Sequence, residues 1–427
     1  MSAEKIGCDG MTGNKEVITG SDFKRMIAGA YSELLLEYEN INQMQGGGQF
    51  PGTHILRTMG AAIMPLADVR DSSIGGLARR ISTAALFGAR GNAGVVLSQL
   101  LRGISKGLSG KYEATSSEFG KAFQYGILYA ERVIHGGAEH PFITVAKAVA
   151  KGAYHAVRAN LPITEILAAA MEAGRSAMEK LEGHDAGAGI MFIFLKGCLN
   201  GLDGNFVSPA VSLSLGITAT KGGMPDPRED LVRPYCVRFR VKNQKITVQE
   251  MERQLKDFGI FALVERRENG IHVHIHTDHP GKLMEWAIGV GPLRDIHITN
   301  MSEPHALGIH DAIMPVAAVA VAEGKEEARR MQEAGAHVIV TGTRDRCPSV
   351  AELVGAAHSD FASHYVLVAP SADYWMVFRQ AKHMLEDRVE LVLCEDAEAQ
   401  ERALKAFNGE KNVSENALAM LQAAKQA

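Results

Sequence analysis

The chain has 427 residues, of which 46% are hydrophobic, and its formal net charge is −4. This length predicts two to four domains with ample apolar material for buried cores, and the slightly acidic balance excludes a general attraction to nucleic acid or to an anionic membrane surface. The five cysteines are scattered without close pairs, as in proteins of the reducing cytosol, and the polar, charged N-terminal residues do not predict a secretory signal. No apolar run is long enough to span a bilayer, so we expect a cytoplasmic protein without an integral membrane segment.

The first part of the chain is predicted to be an all-α domain. Residues 1–20 are rich in Gly, Ser and Lys, which predicts a disordered tail. From residue 21 to about residue 218, apolar positions recur at helical spacing, alanine is abundant and β-branched runs are few. About eight helices are predicted, at 22–38, around Thr53–Ala67, and at 74–87, 93–108, 116–134, 142–158, 163–181 and 187–202.

Two domains of mixed composition follow a Gly/Pro-rich linker near residues 222–227. Over 228–311 we expect an α+β middle domain, with strands at Tyr235–Val241, Ile260–Arg266, Gly270–Thr277 and Asp295–Thr299 and helices at Val248–Lys256 and Pro280–Val290. Over 312–427 four short apolar strands alternate with helices. The strands are Ala317–Val321, His337–Val340, Tyr365–Val368 and Glu390–Leu393, and the helices are 325–334, 350–358, 373–385 and 397–407. That alternation predicts a small α/β domain with a parallel sheet.

A glycine-rich turn lies between two predicted helices of the first domain; we call residues Gly88–Gly94 the glycine turn. Its glycines allow sharp bends and a close approach to a ligand. Asn92 is a candidate N-cap for the following helix, whose first N–H groups would favour a phosphate. A tight helix–helix turn with no ligand explains the same pattern. Arg90 is a candidate partner either for a phosphate or for a structural carboxylate.

The glycine turn resembles that of the ATP-binding subunit of bacterial fatty-acid kinase, in the dihydroxyacetone kinase L-subunit (DAK2) family. There the turn reads Gly-Ala-Arg-Gly-Asn-Ser-Gly, with Ser at the position of Ala93. Segments beginning at Pro234, His274, Ile298 and Cys347 extend the resemblance over nearly the whole chain. It implies a helical-barrel first domain and a C-terminal domain that is shortened relative to the family. It also implies that ATP is bound by Gly88, Ala89, Arg90, Gly91, Asn92, Ala93, Gly94, Thr144, Asp185 and Gly187, although Asp185 fits a helix N-cap equally well.

One departure from the family concerns its metal site. Family kinases carry an acidic loop near the N-terminus whose aspartates hold Mg²⁺ at the ATP phosphates. The matching stretch begins at Asn42 and keeps Thr53, but Gly48 and Phe50 stand at the aspartate positions and His54 replaces the last asparagine. This degenerate metal loop indicates either a pseudokinase that keeps the fold or an active enzyme with relocated ligands. Mg²⁺ is therefore a doubtful cofactor.

Histidines at alternate positions of the predicted strand Gly270–Thr277, with Cys236 on another strand, offer a ligand set suited to zinc. A half-exposed sheet face is the plainer explanation of the spacing. The family resemblance implies a structural Zn²⁺ held by Cys236, His274 and His276.

Three functions stay open at this point. The first is a kinase of a fatty acid held by a DegV-type fatty-acid-binding protein, with catalysis impaired by the missing aspartates. The second is a non-catalytic scaffold or nucleotide sensor. The third is a kinase of a dihydroxyacetone-like small molecule, against which the middle and C-terminal domains argue. The resemblance is compatible with a homodimer, and no nucleic-acid partner is expected.

Overall fold

The computed structural model of the protein describes residues 16–45, 49–66, 73–134, 141–180, 186–204, 235–242, 246–255, 257–267, 270–277, 279–300, 314–357 and 362–426. By its internal contacts the chain divides into two units. The first combines Met1–Leu86 with Val96–Lys221, and the second combines Phe87–Val95 with Gly222–Ala427. A short segment from within the helical region therefore belongs with the later domains.

The N-terminal region is helical, as predicted. Its described residues form eight α-helices: α1 (Gly20–Gln45), α2 (Pro51–Ile63), α3 (Ile74–Phe87), α4 (Gly91–Gly107), α5 (Ser116–Val133), α6 (Pro141–Arg158), α7 (Ile163–Met178) and α8 (Ala186–Leu202). Helix α5 begins at a capping box, in which Thr115 and Glu118 satisfy each other's backbone N–H groups. Two short strands that the sequence did not predict, β1 (Val17–Ile18) and β2 (Ala114–Thr115), pair antiparallel. Of the expected disordered tail, residues 1–15 lie outside the described part, whereas residues 17–20 form β1 and the start of α1.

Helices α1 and α8 approach each other closely because glycines occupy their crossing. A Cβ placed on Gly29 would lie 2.1 Å from the carbonyl oxygen of Gly197 and 2.7 Å from the Cα of Gly201. Nearby, an apolar cavity lined by residues such as Phe23 and Phe194 has room for about one water molecule. The glycines thus allow a tightly filled interior in which this cavity is too small for an acyl chain.

The middle domain contains a four-stranded antiparallel sheet. Its strands are β3 (Tyr235–Val241), β4 (Ile260–Arg267), β5 (Gly270–Thr277) and β6 (Leu293–Asn300), in the order β4-β5-β3-β6. One face carries buried apolar side chains, including Val237 and Ile275. Helices α9 (Val248–Leu255) and α10 (Pro280–Val290) cover that face with Met251 and Leu283, for example. The α+β expectation is confirmed.

The C-terminal domain contains a four-stranded parallel sheet, also as predicted. Its strands are β7 (Met314–Ala322), β8 (Val338–Thr341), β9 (Ala362–Ala369) and β10 (Val389–Leu393), in the order β10-β9-β7-β8. The helices are α11 (Gly324–Glu333), α12 (Val350–Ala357), α13 (Trp375–Leu385), α14 (Ala397–Lys405) and α15 (Val413–Ala424). Alternate residues of β7 enter two separate apolar clusters, one with α12 and α13 and the other with α11, α14 and α15. Both faces are buried, which explains the continuous apolar sequence of β7.

No helix in the described part of the chain combines the length and apolar character needed to cross a lipid bilayer.

Candidate functional site

The glycine turn packs within the C-terminal part of the second unit. Ala89 and Val95 are buried in the apolar cluster that also contains Leu353 and Phe378. The Ala89 carbonyl accepts a hydrogen bond at 3.1 Å from the N–H of Val350, where α12 begins. The turn and the residue that follows it therefore contribute two side chains and a backbone acceptor to the core beside the parallel sheet.

Arg90 is paired with a carboxylate. Its Nη2 lies 2.9 Å from Oε1 of Glu352 and its Nη1 3.3 Å from Oε2, a two-pronged geometry. Nη1 also donates to the carbonyl of Cys347 at 2.6 Å. The side chains of Arg90 and Glu352 are only 11% and 3% exposed. Arg90 therefore has a structural carboxylate, that of Glu352, as a partner.

The prediction that Asn92 is an N-cap is wrong. Helix α4 begins at Gly91, whose positive φ of 58° turns the chain into the helix, so that Asn92 is already inside the first turn. The side-chain amide of Asn92 instead forms hydrogen bonds with two backbone groups after β9. It accepts from the N–H of Met376 at 3.1 Å and donates to the carbonyl of Ala372 at 3.2 Å. It therefore satisfies the first turn of α13 rather than of its own helix.

A buried thiol completes these contacts. The N–H of Gly91 bonds to the sulfur of Cys347, and burial raises the pKa of that thiol to about 12. The thiol is therefore neutral at physiological pH and is not poised as a nucleophile.

Sequence reasoning missed Glu352, the partner of Arg90. The local signal was present, because Ser349 and Glu352 form a reciprocal cap at the start of α12. The Ser349 N–H donates to Glu352 at 2.6 Å, and the Glu352 N–H donates to the Ser349 hydroxyl at 3.3 Å. The pattern Ser-x-x-Glu thus predicts the cap, but it carries no information about Arg90.

The first turn of α4 begins with backbone N–H groups, which are the kind of group that can bind an anion. The first N–H groups of a helix have no partner within that helix, and the helix dipole favours a negative charge beside them. Here this applies to the amides of Asn92 and Ala93, which lie in the half-buried part of the turn. Ala93 supplies a backbone donor and no side-chain hydroxyl. Backbone amides of this kind can bind an anion without any contribution from the guanidinium of Arg90.

The degenerate metal loop is anchored at its two ends by hydrogen bonds of Asn42. The side-chain oxygen of Asn42 accepts from the N–H groups of Gly52 and Thr53 at 2.8 and 3.2 Å, and its Nδ2 donates to the Thr53 hydroxyl at 2.8 Å. A Cβ on Gly52 would lie 2.0 Å from the carbonyl of Tyr38, so only glycine allows this approach of α2 to α1. The loop ends are thus held by neutral groups.

The stretch that contains those anchors supplies no carboxylate of its own. Phe50 is half-buried and precedes α2, while His54 is buried within that helix; Gly48 lies outside the described residues. The sequence from 42 to 66 contains no Asp or Glu. Glu37 and Glu39 lie on α1, as expected, where they bond to Asn40 and Tyr38.

The other predicted nucleotide residues lie in the first unit. Thr144 is half-buried on α6. Gly187 is in the first turn of α8, whereas Asp185 lies outside the described residues.

Two of the three predicted zinc residues are direct register partners in the middle sheet. Cys236 on β3 pairs with His276 on β5, and Arg238 pairs with His274. Strand alternation places positions 236, 274 and 276 on the face opposite the buried apolar positions. Among the side chains that the structure describes, no group of three or more His, Cys, Asp or Glu could hold a metal. The side chains of Cys236, His274 and His276 are outside that set.

Comparisons with known proteins agree along the chain. Residues 51–200 match the DAK2 domain, residues 233–307 match the middle domain of the FakA-like fatty acid kinase family, and residues 317–427 match the C-terminal domain of that family. Protein YloV of Bacillus subtilis is 27% identical over an alignment that covers 98% of this chain and 80% of YloV. An uncharacterised protein of Staphylococcus epidermidis is 25% identical, covering 86% of this chain and 72% of that protein.

Proposed function

Since the chain belongs to the FakA-like fatty acid kinase family, we propose that it binds ATP or ADP at the glycine turn and that its phosphoryl transfer is weak or absent. The observation that carries this proposal is the stretch 42–66, which is held by contacts between Asn42 and Thr53 and contains no carboxylate. Without a metal clamp, a kinase loses much of the stabilisation of charge on the transferred phosphoryl group.

The nucleotide phosphates would bind at the amides that open α4. Backbone N–H groups and the helix dipole supply attraction that does not depend on a metal ion. The family resemblance adds Thr144, Asp185 and Gly187 to the proposed nucleotide-binding residues. In this chain Arg90 would stabilise the conformation of the glycine turn rather than bind the phosphate, because its guanidinium is already paired with Glu352.

The residues of the degenerate metal loop do not fit Mg²⁺. Magnesium requires hard oxygen ligands in near-octahedral geometry and is usually held by one or two carboxylates. The side-chain oxygens of Asn42 and Thr53 are neutral and already take part in the loop's own hydrogen bonds. We therefore propose nucleotide binding that depends little on magnesium.

Titration calorimetry with ATP and ADP, with and without Mg²⁺, tests this proposal directly. Binding of similar strength in both conditions is expected. Absence of binding at millimolar nucleotide would contradict the nucleotide site, and tight binding only with Mg²⁺ would show that other residues have replaced the lost aspartates.

A gain-of-function pair tests the assignment of the metal loop. Gly48→Asp combined with Phe50→Asp is expected to make nucleotide binding respond to Mg²⁺, since two carboxylates return to the family's positions. The matched control is Gly46→Asp with Gln49→Asp, which adds the same charge to the same loop at other positions. Equal magnesium responses in the two variants would refute the assignment.

We further propose that the protein acts with a fatty-acid-binding partner of the DegV type. The matches of the middle and C-terminal domains to FakA-like fatty acid kinase domains support this lineage over a dihydroxyacetone-like kinase. The missing carboxylates favour a scaffold or nucleotide-sensing role within such a pair. Acyl-phosphate formation with a loaded DegV-type carrier, compared between wild type and the Gly48→Asp/Phe50→Asp variant, distinguishes an active kinase from a non-catalytic partner.

A structural Zn²⁺ in the middle domain is the second proposal that the resemblance supports. The register that pairs Cys236 with His276 supports it, because cross-strand neighbours on one face can share a tetrahedral ion. Metal analysis of protein purified without chelator is expected to give one zinc per chain. Cys236→Ser should lose it, and His272→Gln on the same strand as His274 should keep it.

A further inference from the structure

In the parallel sheet of the C-terminal domain, the direction in which successive strands are added changes at β7. The chain passes from β7 to β8 on one side and then to β9 on the other, so β8 and β9 flank β7. In open parallel sheets, ligands bind outside the carboxyl ends of the strands at such a reversal. In this protein the glycine turn reaches that edge. Arg90 contacts the segment after β8, and Asn92 contacts the segment after β9.

The glycine turn makes several contacts with this edge, and most of their hydrogen bonds are partly buried. The carboxylate of Glu352 holds Arg90, the backbone after β9 holds Asn92, and the N–H of Val350 holds the Ala89 carbonyl. These contacts fix three residues of the glycine turn. Ala89 and Arg90 lie just before α4, and Asn92 lies at its start. The conformation that presents the α4 amides is therefore specified from the C-terminal domain.

We propose that Glu352 is a positioning residue for the nucleotide site, through which the C-terminal domain sets the affinity of the glycine turn for ATP or ADP. This inference rests on the proposed nucleotide binding. Because coupling between two sites is reciprocal, bound nucleotide must in turn stabilise the C-terminal domain.

The sign of the effect separates positioning from simple electrostatics. Glu352→Gln removes a negative charge near the proposed phosphate position, so electrostatics alone would tighten the binding of ADP. Loss of the Arg90 anchor would instead loosen the turn and weaken binding. We expect weakening of about tenfold, within the usual range for coupling between sites.

The test compares ADP dissociation constants, measured by calorimetry, for wild type, Glu352→Gln and Glu390→Gln. Glu390 lies in the same domain and pairs with Lys382 at a partly exposed position, so its variant makes the same change in net charge. Weaker binding in Glu352→Gln alone supports the inference. Unchanged or tighter binding in Glu352→Gln overturns it.

A second measurement needs no substitution at the ion pair. Hydrogen exchange of the wild-type protein, with and without ADP, reports on backbone opening in residues 349–352 and 372–376. Slower exchange there on addition of ADP is expected, and no change in either segment overturns the inference. A wild-type protein that binds no ADP would instead contradict the proposed function itself.

Discussion

Removal of the Arg90 side chain should strongly destabilise the C-terminal domain. In Arg90→Met, the Glu352 carboxylate, 3% exposed, would keep its bond from the Ser349 N–H but lose both contacts to the guanidinium. Breaking one side of a buried ion pair leaves an uncompensated charge, and we expect a loss of about 3 kcal/mol in the free energy of unfolding.

Tryptophan fluorescence during urea unfolding can isolate this domain. The chain has two tryptophans, and Trp375 at the start of α13 donates to the carbonyl of Cys394 at 3.2 Å. In a Trp286→Phe background, the signal reports on the C-terminal sheet and its helices. The free energy of unfolding should then fall in Arg90→Met and recover by more than half in Arg90→Met/Glu352→Leu, because the unpaired charge is gone.

The control is an ion pair that is exposed to solvent. Arg329 and Glu333 are 77% and 68% exposed, so Arg329→Met should change the free energy of unfolding by less than about 0.5 kcal/mol. If Arg90→Met costs no more than this control, the pair does not anchor the turn, and the reasoning from burial is refuted.

Three further predictions concern stability. Burial lowers the pKa of His337 to about 4 from 6.5, so the neutral form is favoured in the folded state. Stability should be complete above pH 6.5 and decline as pH falls towards 4, by up to about 3 kcal/mol, and urea midpoints should show a smaller decline in His337→Gln. Gly29→Ala should cost at least about 2 kcal/mol in thermal unfolding followed by circular dichroism, because its Cβ would overlap the backbone of α8. Gly289→Ala, in a helix with open space around the new Cβ, should instead stabilise by roughly 0.5–1 kcal/mol in the same assay, and a loss there would contradict the argument from space.

Local sequence patterns predicted most helices and strands because the spacing of apolar residues reflects which side chains of a segment are buried and which are exposed. Strands Tyr235–Val241 and Gly270–Thr277 occur at their predicted bounds, since alternate residues enter the core of the middle domain. The helix Val413–Ala424 was missed, although its capping box between Asn412 and Glu415 is a sequence signal for a helix start.

The candidate site was less predictable because its partners are distant in sequence. Glycine spacing indicated a bend and a helix start, and Gly91 does take a positive φ. Nothing local to the turn identifies Glu352 or Met376 as partners of Arg90 and Asn92. Asn92 was therefore assigned to its own helix by a rule that considers only neighbouring residues, whereas tertiary contacts determine its role.

The contact between Arg90 and Glu352 also has a consequence for synthesis of the chain. The two residues are 262 positions apart, which at ribosomal speeds corresponds to a delay on the order of 10 to 50 s. For most of that interval, until the chain reaches Ala317, Ala89 and Val95 have none of the later residues of their core available. The glycine turn therefore reaches its final shape only after most of the protein has left the ribosome, and a shortened nascent chain presents it in an unfinished form.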